Sequence, residues 1–275
     1  MTYLLLAILS SAMVSITMRL SEKHVQNQMV MFMANYAICT GLSYGMMNQN
    51  GFSISPITFW LGSISGVLYL ISFVYLKINM KFNGIVMSST FTKLGVLIPT
   101  LMAIFIFSEI PTWTQVMGII LSLLAIVMIH FEKDSVNDSQ KKGWLILLLI
   151  ISGITDSMAN IFDQIGIASQ KDMYLMMTFI FAFLLSMVLA LFEKKNTSIK
   201  DVLYGLIIGI PNYFSARFLL LALGSVDAVL AYPMYSVTTM IIISMTGLLF
   251  FHETISNKKK VALGMIILAI CLMNI

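Results

Sequence analysis

Long apolar runs separated by short polar connections repeat along the whole chain. Each run holds about 20 residues, the length that an α-helix needs to cross the hydrocarbon core of a bilayer. Continuous runs of this kind exclude a transmembrane β-barrel, whose strands are short and alternate in hydropathy. The pattern predicts ten spanning helices. They lie near residues 2–19, 27–47, 57–77, 84–108, 112–131, 143–165, 172–192, 201–223, 227–251 and 256–275.

Composition agrees with this pattern. Of the 275 residues, 59% are hydrophobic and only 10% are charged, and the mean hydropathy is +0.94. Soluble domains carry roughly 25% charged residues, so the chain is predicted to be an all-α polytopic membrane protein. The net charge of +4 comes with no basic stripe interleaved with aromatics, so we expect no nucleic-acid partner. No nucleophile–base cluster, phosphate loop or metal motif appears, so we expect no enzyme activity, cofactor or metal.

An internal repeat relates the two halves of the chain. The stretch "FSEIPTWTQVMGIILSLLAI" (107–126) resembles "FHETISNKKKVALGMIILAI" (251–270), and Glu109 and Glu253 are 144 residues apart. Five spans are an odd number, so a second set of five must be inserted upside-down relative to the first, as in many secondary transporters. We therefore predict two inverted five-helix repeats joined by a cytoplasmic linker. Their ranges are 1–131 for the first repeat, 132–142 for the linker and 143–275 for the second repeat.

The basic residues predict the orientation. The connections after odd-numbered spans hold 13 of the 16 Lys and Arg residues. By the positive-inside rule these connections are cytoplasmic, so both termini are expected to face away from the cytoplasm.

Lys93 is the first candidate for a functional residue. It lies about nine residues into the fourth span, roughly 13–14 Å deep at 1.5 Å per residue. An ionised group at the bilayer centre costs about 2.5–3.5 kcal/mol on insertion scales, so Lys93 needs a polar cavity or a paired acid. The functional interpretation is a docking point for an anionic group. The structural alternative is an ion pair with Asp156 or Asp163 that locks the two halves together.

The sixth span supplies the acids. Asp156, Asn160 and Asp163 are spaced i, i+4 and i+7, so they lie along one helix face. Asp156 is our candidate for a proton-coupling site or an amine ligand. Asn160 is expected to line the same cavity.

Further candidates lie in the second, third, eighth and ninth spans. Pro211 removes a backbone donor and leaves carbonyls free to face a cavity. Arg217 suits an anion but is equally well explained as a snorkelling anchor. Asn35 is better explained by a helix-to-helix hydrogen bond than by contact with a solute. Tyr69 and Tyr213 are matched by the 144-residue offset and form either an aromatic clamp or packing contacts. The predicted substrate-binding residues outside the fourth and sixth spans are Asn35, Tyr69, Asn212, Tyr213, Arg217 and Tyr235.

Several stretches resemble a known family. "IPTLMAIFIFSEIPTWTQVMGIILSLLAI" (98–126) resembles the span-four-to-five signature of the EamA-like members of the drug/metabolite transporter superfamily. "FTKLGVLIP" (91–99) and "GIPNYFSARFLLLAL" (209–223) are similar to segments of a bacterial branch of that family. The first span, "AILSSAMVSITMRLSE" (7–22), resembles the first helix of small multidrug resistance transporters, but Ser11 stands where that family has its proton- and substrate-binding glutamate.

The resemblance implies a ten-helix secondary transporter in a bacterial plasma or inner membrane. Together with Lys93 and Asp156 it predicts alternating-access transport of a small polar or zwitterionic, amino-acid-like metabolite, and export is the direction that the resemblance implies. The alternatives are a proton/cation antiporter for amines or drugs, which needs Asp156 alone, and a lipid flippase. The expected partners are a small-molecule substrate, the lipid bilayer and, at Asp156, a coupling proton, in a monomer or homodimer.

Overall fold

The computed structural model describes residues 1–21, 24–47, 54–83, 85–130, 142–193, 195–250 and 257–273. Over these ranges the chain is helical and forms no β-strand. Eleven α-helices and one 3₁₀ turn, Ala168–Gln170, account for the regular structure. The helices are α1 (Thr2–Ser21), α2 (Gln28–Met46), α3 (Pro56–Asn83), α4 (Ile85–Leu94), α5 (Leu97–Phe105), α6 (Trp113–His130), α7 (Lys142–Ile165), α8 (Lys171–Phe192), α9 (Ile199–Leu223), α10 (Ala228–Phe250) and α11 (Asn257–Met273).

These helices confirm the prediction of an all-α polytopic membrane protein. Five of them contain a segment long and apolar enough to cross a membrane, and four further apolar helical segments are shorter. The predicted linker 132–142 lies outside the described residues except for Lys142, and so does Glu253. The long spanning segments are Thr2–Ser21, Pro56–Leu76, Gly143–Ile165, Ala168–Phe192 and Ile199–Leu223.

The helix bounds differ at two places from those predicted from hydropathy. Helix α3 continues to Asn83, beyond the predicted end at 77, where Asn79 and Asn83 donate side-chain hydrogen bonds to acceptors one turn back, at 3.2 and 3.0 Å. The predicted fourth span is split into α4 and α5. An offset of 144 residues carries each helix of the first half onto a helix of the second, with α4 and α5 together matching α10. The two-repeat division by sequence range stays a prediction.

The helices fall into two compact units, each built from both halves of the chain. The first unit consists of Met1–Leu70 and Ile161–Gly224, and the second of Ile71–Asn160 and Ser225–Ile275. Helices α3 and α7 each contribute one part to either unit. In the first unit α2 packs against both α8 and α9, and in the second α6 packs against α11 and α5 against α10.

Paired glycines bring the helices of the first unit into close contact. A Cβ atom on Gly205 or Gly209 of α9 would collide with the backbone of α2, and one on Gly66 of α3 would collide with the backbone of α8. In α3 a second glycine, Gly62, lies one turn before Gly66 and also approaches α8. Both helices thus carry the small-x-x-x-small spacing that lets membrane helices pack closely without a hydrophobic driving force.

Candidate functional site

Lys93 lies at the point where the predicted fourth span is interrupted. It occupies the last turn of α4, and the helix stops one residue later. Pro99 explains the break because it has no N–H to donate to the Gly95 carbonyl four residues back. That carbonyl instead accepts from the Ile98 amide at 2.9 Å. A helix C-terminus carries partial negative charge, which favours a cation such as the Lys93 ammonium.

A polar face of α7 carries both Asp156 and Asn160. The Asp156 side chain is exposed, whereas Asn160 is only 1% exposed. Of the exposed apolar residues of α7, Leu147, Ile150 and Ile154 point roughly 120–180° away from Asp156 around the helix at 100° per residue, and Ile146 points about 80° away. Asp156 therefore points away from most of the exposed apolar surface of α7.

Close packing holds the α4–α5 junction against α7 in the second unit. A Cβ atom on Gly95 would lie 2.7 Å from Ser152 Oγ and 3.0 Å from the Gly153 nitrogen. A Cβ atom on Gly153 would lie 2.6 Å from Ile98 Cδ1. Only glycines allow this approach, which brings the end of α4 to the polar face of α7.

The close contact of Gly95 with Ser152 and Gly153 places the end of α4, which carries Lys93, against the face of α7 that carries Asp156. The two residues do not form an ion pair, since the ion pairs of the described ranges join other residues. Two unlike charges without an ion pair between them can each bind the oppositely charged group of a ligand. The structure therefore brings together the two residues on which the sequence interpretation depends most.

Helix α10 also contacts this face of α7. The Tyr232 hydroxyl donates to the Asp156 carbonyl oxygen at 2.8 Å. The Thr239 hydroxyl is buried and has no hydrogen-bond partner among the described residues. Tyr235, a predicted lining residue, is half-buried on the same helix.

Asn160 is the most unusual polar residue of the second unit. Its Oδ1 and its Nδ2 are both buried, and neither has a hydrogen-bond partner in the part of the chain that is described. A buried polar group without a partner costs about 1–3 kcal/mol. An amide with both of its functions unmet is therefore a strong candidate for contact with a ligand.

In the first unit, Asn35 and Asn212 hydrogen-bond to each other. The Asn212 amide donates to Asn35 Oδ1 at 3.2 Å and lies 3.8 Å from the Cys39 sulfur. Asn35 is 3% exposed and Asn212 is half-buried. This bond joins α2 to α9, as the helix-to-helix alternative for Asn35 expects.

Tyr213 packs in the core of the first unit. It is fully buried, its ring lies 6.2 Å from that of Phe179 and 5.3 Å from that of Phe214, and its hydroxyl has no hydrogen-bond partner in the described ranges. These contacts agree with a packing role. Tyr69, its partner in the repeat, is half-buried in the same unit.

Arg217 and Asp163 both take part in ion pairs of the first unit. The Arg217 guanidinium lies 3.0 Å from an Asp172 carboxylate oxygen and donates to the other at 3.3 Å. The Lys171 ammonium lies 2.5 Å from Asp163 Oδ1 and also donates to the Leu220 carbonyl at 3.2 Å. Asp163 thus pairs with Lys171, and the Arg217 charge is already balanced by Asp172.

The described ranges contain no group of three His, Cys, Asp or Glu side chains that could hold a metal ion.

The nine predicted substrate-binding residues divide between the two units. Lys93, Asp156, Asn160 and Tyr235 lie in the second unit, and the remaining five lie in the first.

Comparison with known proteins finds a family match for the second half of the chain. The model of the EamA-like transporter family matches residues 143–275. The predicted resemblance to this family is confirmed over residues 143–275.

Two further similarities concern a membrane protein and the fold. The chain is 36% identical over 61 residues to a protein of Bacillus subtilis (strain 168) described as the uncharacterized membrane protein YvaE. That match spans 22% of this chain and about half, 51%, of the relative's length. A crystal structure with 12% sequence identity has a TM-score of 0.77 and covers 100% of this chain and 98% of the other, which shows the fold alone.

Two residues with structural roles complete the description. Glu109, one member of the repeated pair, caps a helix: its Oε2 accepts from the Val229 amide at the start of α10 at 2.7 Å. Asp201 was missed. Its fully buried carboxylate accepts from the amides of Gln26, Asn27 and Ser198 at 2.8, 3.3 and 2.8 Å. The residue order Ser198–Asp201 fits a capping box at the start of α9 and was the available signal.

Proposed function

We propose that this protein is a secondary transporter that moves a small zwitterionic, amino-acid-like metabolite by alternating access. In this proposal the Lys93 ammonium binds the carboxylate of the solute and Asp156 binds its ammonium group. The observation that carries it is the close packing of the α4–α5 junction, next to Lys93, on the face of α7 that bears Asp156, with no ion pair between the two residues.

The chemistry of the site supports a zwitterion over a singly charged solute. A cationic solute would be repelled by Lys93, and an anionic solute would be repelled by Asp156. A zwitterion satisfies both residues and leaves no buried charge unpaired, which is the costly outcome in a low-dielectric site. Discontinuous helices at membrane depth suit such a role because their free ends and unwound backbone face a cavity rather than lipid. The break after Lys93 fits this requirement.

The proposal is tested with purified protein in liposomes. Uptake by counterflow is measured for each common L-amino acid and, as a matched charge series, for L-threonine, L-threoninamide and N-acetyl-L-threonine. The amide lacks the carboxylate and the acetyl derivative lacks the ammonium group. We expect uptake of one or more zwitterions and little uptake of either singly charged derivative.

Two outcomes contradict this proposal. Uptake of threoninamide as fast as that of threonine would favour a proton/cation antiporter for amines that uses Asp156 alone. No uptake of any amino acid would leave the flippase or another solute class as the explanation. Export from the cell is part of the proposal and is checked by comparing the solute released by expressing and non-expressing cells.

We also propose that the protein lies in the bacterial plasma or inner membrane with both termini outside the cytoplasm. The distribution of Lys and Arg supports this orientation. In a variant whose exposed Cys271 is replaced by Ser, we expect Ser169→Cys to react with a membrane-impermeant maleimide in intact cells. Asn196→Cys, in the exposed α8–α9 connection, should react only after permeabilisation. The reverse labelling pattern would invert the topology.

A further inference from the structure

The hydroxyl side chains of α7 are hydrogen-bonded within the helix, whereas the Asn160 amide is an exception. A hydroxyl in a helix commonly donates to the carbonyl four residues back, and three residues of α7 do so. They are Ser152 to Leu148 O, Thr155 to Ile151 O and Ser157 to Gly153 O, each at 2.7 Å. The Asn160 amide makes no such bond.

Tyr232 accounts for the exception. The carbonyl four residues before Asn160 belongs to Asp156, and the Tyr232 hydroxyl donates to it at 2.8 Å. That carbonyl therefore already accepts a side-chain hydrogen bond, and the Asn160 amide makes none to it. Tyr232 is itself 2% exposed and firmly packed, so the arrangement is a fixed feature of the α7–α10 contact.

Asn160 lies one helical turn from Asp156 on the same face of α7. Residues spaced i and i+4 have their Cβ atoms about 5–6 Å apart. A solute whose ammonium group binds Asp156 would therefore place its next few atoms within reach of the Asn160 amide. Lys93, Asp156 and Asn160 offer three different contacts, to an anion, to a cation and to a neutral polar group.

We propose that Asn160 determines specificity by binding a neutral side chain that both donates and accepts hydrogen bonds, so that the solute is an amino acid with a hydroxyl or carboxamide group. This inference rests on the proposed function. Tyr232 acts as a positioning residue because it keeps the Asn160 amide free for the solute.

The unpaired acceptor and donor of the Asn160 amide favour this class of side chain. Asn160 Oδ1 requires a donor and Asn160 Nδ2 requires an acceptor. A carboxylate side chain only accepts and an ammonium only donates, whereas a hydroxyl or a carboxamide does both. An apolar side chain would leave both amide atoms unpaired after binding. A site that hydrogen-bonds its substrate rejects an analogue without the hydrogen-bonding group far more strongly than an apolar site rejects a ligand of the wrong size.

The test compares near-isosteric amino acids on the wild-type protein. Binding raises the melting temperature by mass action, so affinities are obtained from thermal shifts titrated with threonine against valine and with asparagine against leucine. We expect the polar member of each pair to bind roughly 100-fold more tightly, or better, than the apolar member. Equal affinity within both pairs would overturn the role of Asn160 and leave the transporter proposal standing. No shift with any amino acid would overturn both.

Asn160→Leu separates ligand contact from a structural role. Replacing a buried amide that has no partner by an apolar side chain of similar shape removes its desolvation cost. We therefore expect the melting temperature of the ligand-free variant to stay equal or rise, and valine to bind at least as tightly as threonine. The matched control is Asn35→Leu, which removes a bonded amide and leaves Asn212 without its partner, and should lower the melting temperature.

Tyr232→Phe tests the positioning role without removing a residue from the proposed contact set. Loss of the hydroxyl frees the Asp156 carbonyl, so the Asn160 amide gains an acceptor within its own helix. We expect the preference for threonine over valine to fall at least about 10-fold while the protein remains folded. An unchanged preference in Tyr232→Phe, or a melting temperature in Asn160→Leu as low as that of Asn35→Leu, would contradict the assignment.

Discussion

Lys93→Met is expected to reduce the transport of a zwitterionic amino acid by roughly 100-fold or more while the protein remains folded. The side chain keeps its approximate length and loses its charge, so the solute carboxylate loses its partner. Truncating one member of a desolvated charge pair commonly costs about 2–5 kcal/mol. The measurement is counterflow in liposomes, with the melting temperature recorded alongside.

Two comparisons make this result specific to the site. Lys195→Met removes a charge from an exposed lysine that pairs with Glu193 at the protein surface, and transport should be unaffected because exposed pairs contribute little. Asp156→Asn should abolish transport as well. If Lys93→Met leaves transport intact and Asp156→Asn abolishes it, the solute is an amine and the zwitterion proposal is wrong. If neither variant affects transport, the two charges have only a structural role.

Asp201→Ala is expected to cause the largest loss of stability of any single change considered. The carboxylate accepts from three backbone amides, two of which belong to residues 174 and 175 positions away along the chain. Its removal leaves three donors unpaired, the Asn27 amide in a buried position and the other two in partly buried ones, and a buried unpaired donor costs about 1–3 kcal/mol. A loss of about 3 kcal/mol or more should lower the melting temperature by roughly 6–12 °C for a chain of this size.

Asp227→Ala provides the matched control for this prediction. Asp227 also precedes a helix, but it is exposed and its backbone carbonyl, not its carboxylate, accepts the bonds from Leu230 and Ala231. Surface changes of this kind stay within about 0.5 kcal/mol. Equal effects of the two variants would show that the three bonds of Asp201 contribute nothing beyond ordinary capping.

Glycines lie at the positions where two helices pack closely next to polar side chains. Gly205 and Gly209 bring α9 against α2 at the level of the Asn35–Asn212 bond. Gly95 and Gly153 do the same for the α4–α5 junction and α7 at the level of Lys93 and Asp156. In each unit the polar contacts thus lie next to a place where two backbones nearly touch, because short polar side chains reach across helices only there.

Membrane-spanning helices were predictable because hydropathy alone decides them. A run of about 20 apolar residues has no stable alternative to a helix in lipid, where every backbone group must be satisfied within the segment. The helix ends followed from local signals. Ser55 accepts from the Thr58 amide and Pro56 is the first residue of α3, so the signals for this helix start are adjacent in the sequence. The Glu109 carboxylate, in contrast, caps the distant α10.

The break between α4 and α5 has a signal in the sequence but was not predicted from hydropathy. Pro99 signals a disrupted helix wherever it occurs inside an apolar run, yet hydropathy averages over such an interruption and returned one continuous span. The position of the break, directly after Lys93, gives that lysine a helix terminus as its surroundings.

The sequence by itself determined the membrane class, the helix positions and the residues with unusual polarity, because each depends on neighbours within one or two helical turns. Only the tertiary structure decided their partners. Arg217 pairs with Asp172, Asp163 pairs with Lys171, and Tyr232 takes the carbonyl that Asn160 would otherwise use. Such pairings depend on which helix faces meet and at what height, and these are set by close packing between segments far apart in the chain, which one-dimensional spacing does not encode.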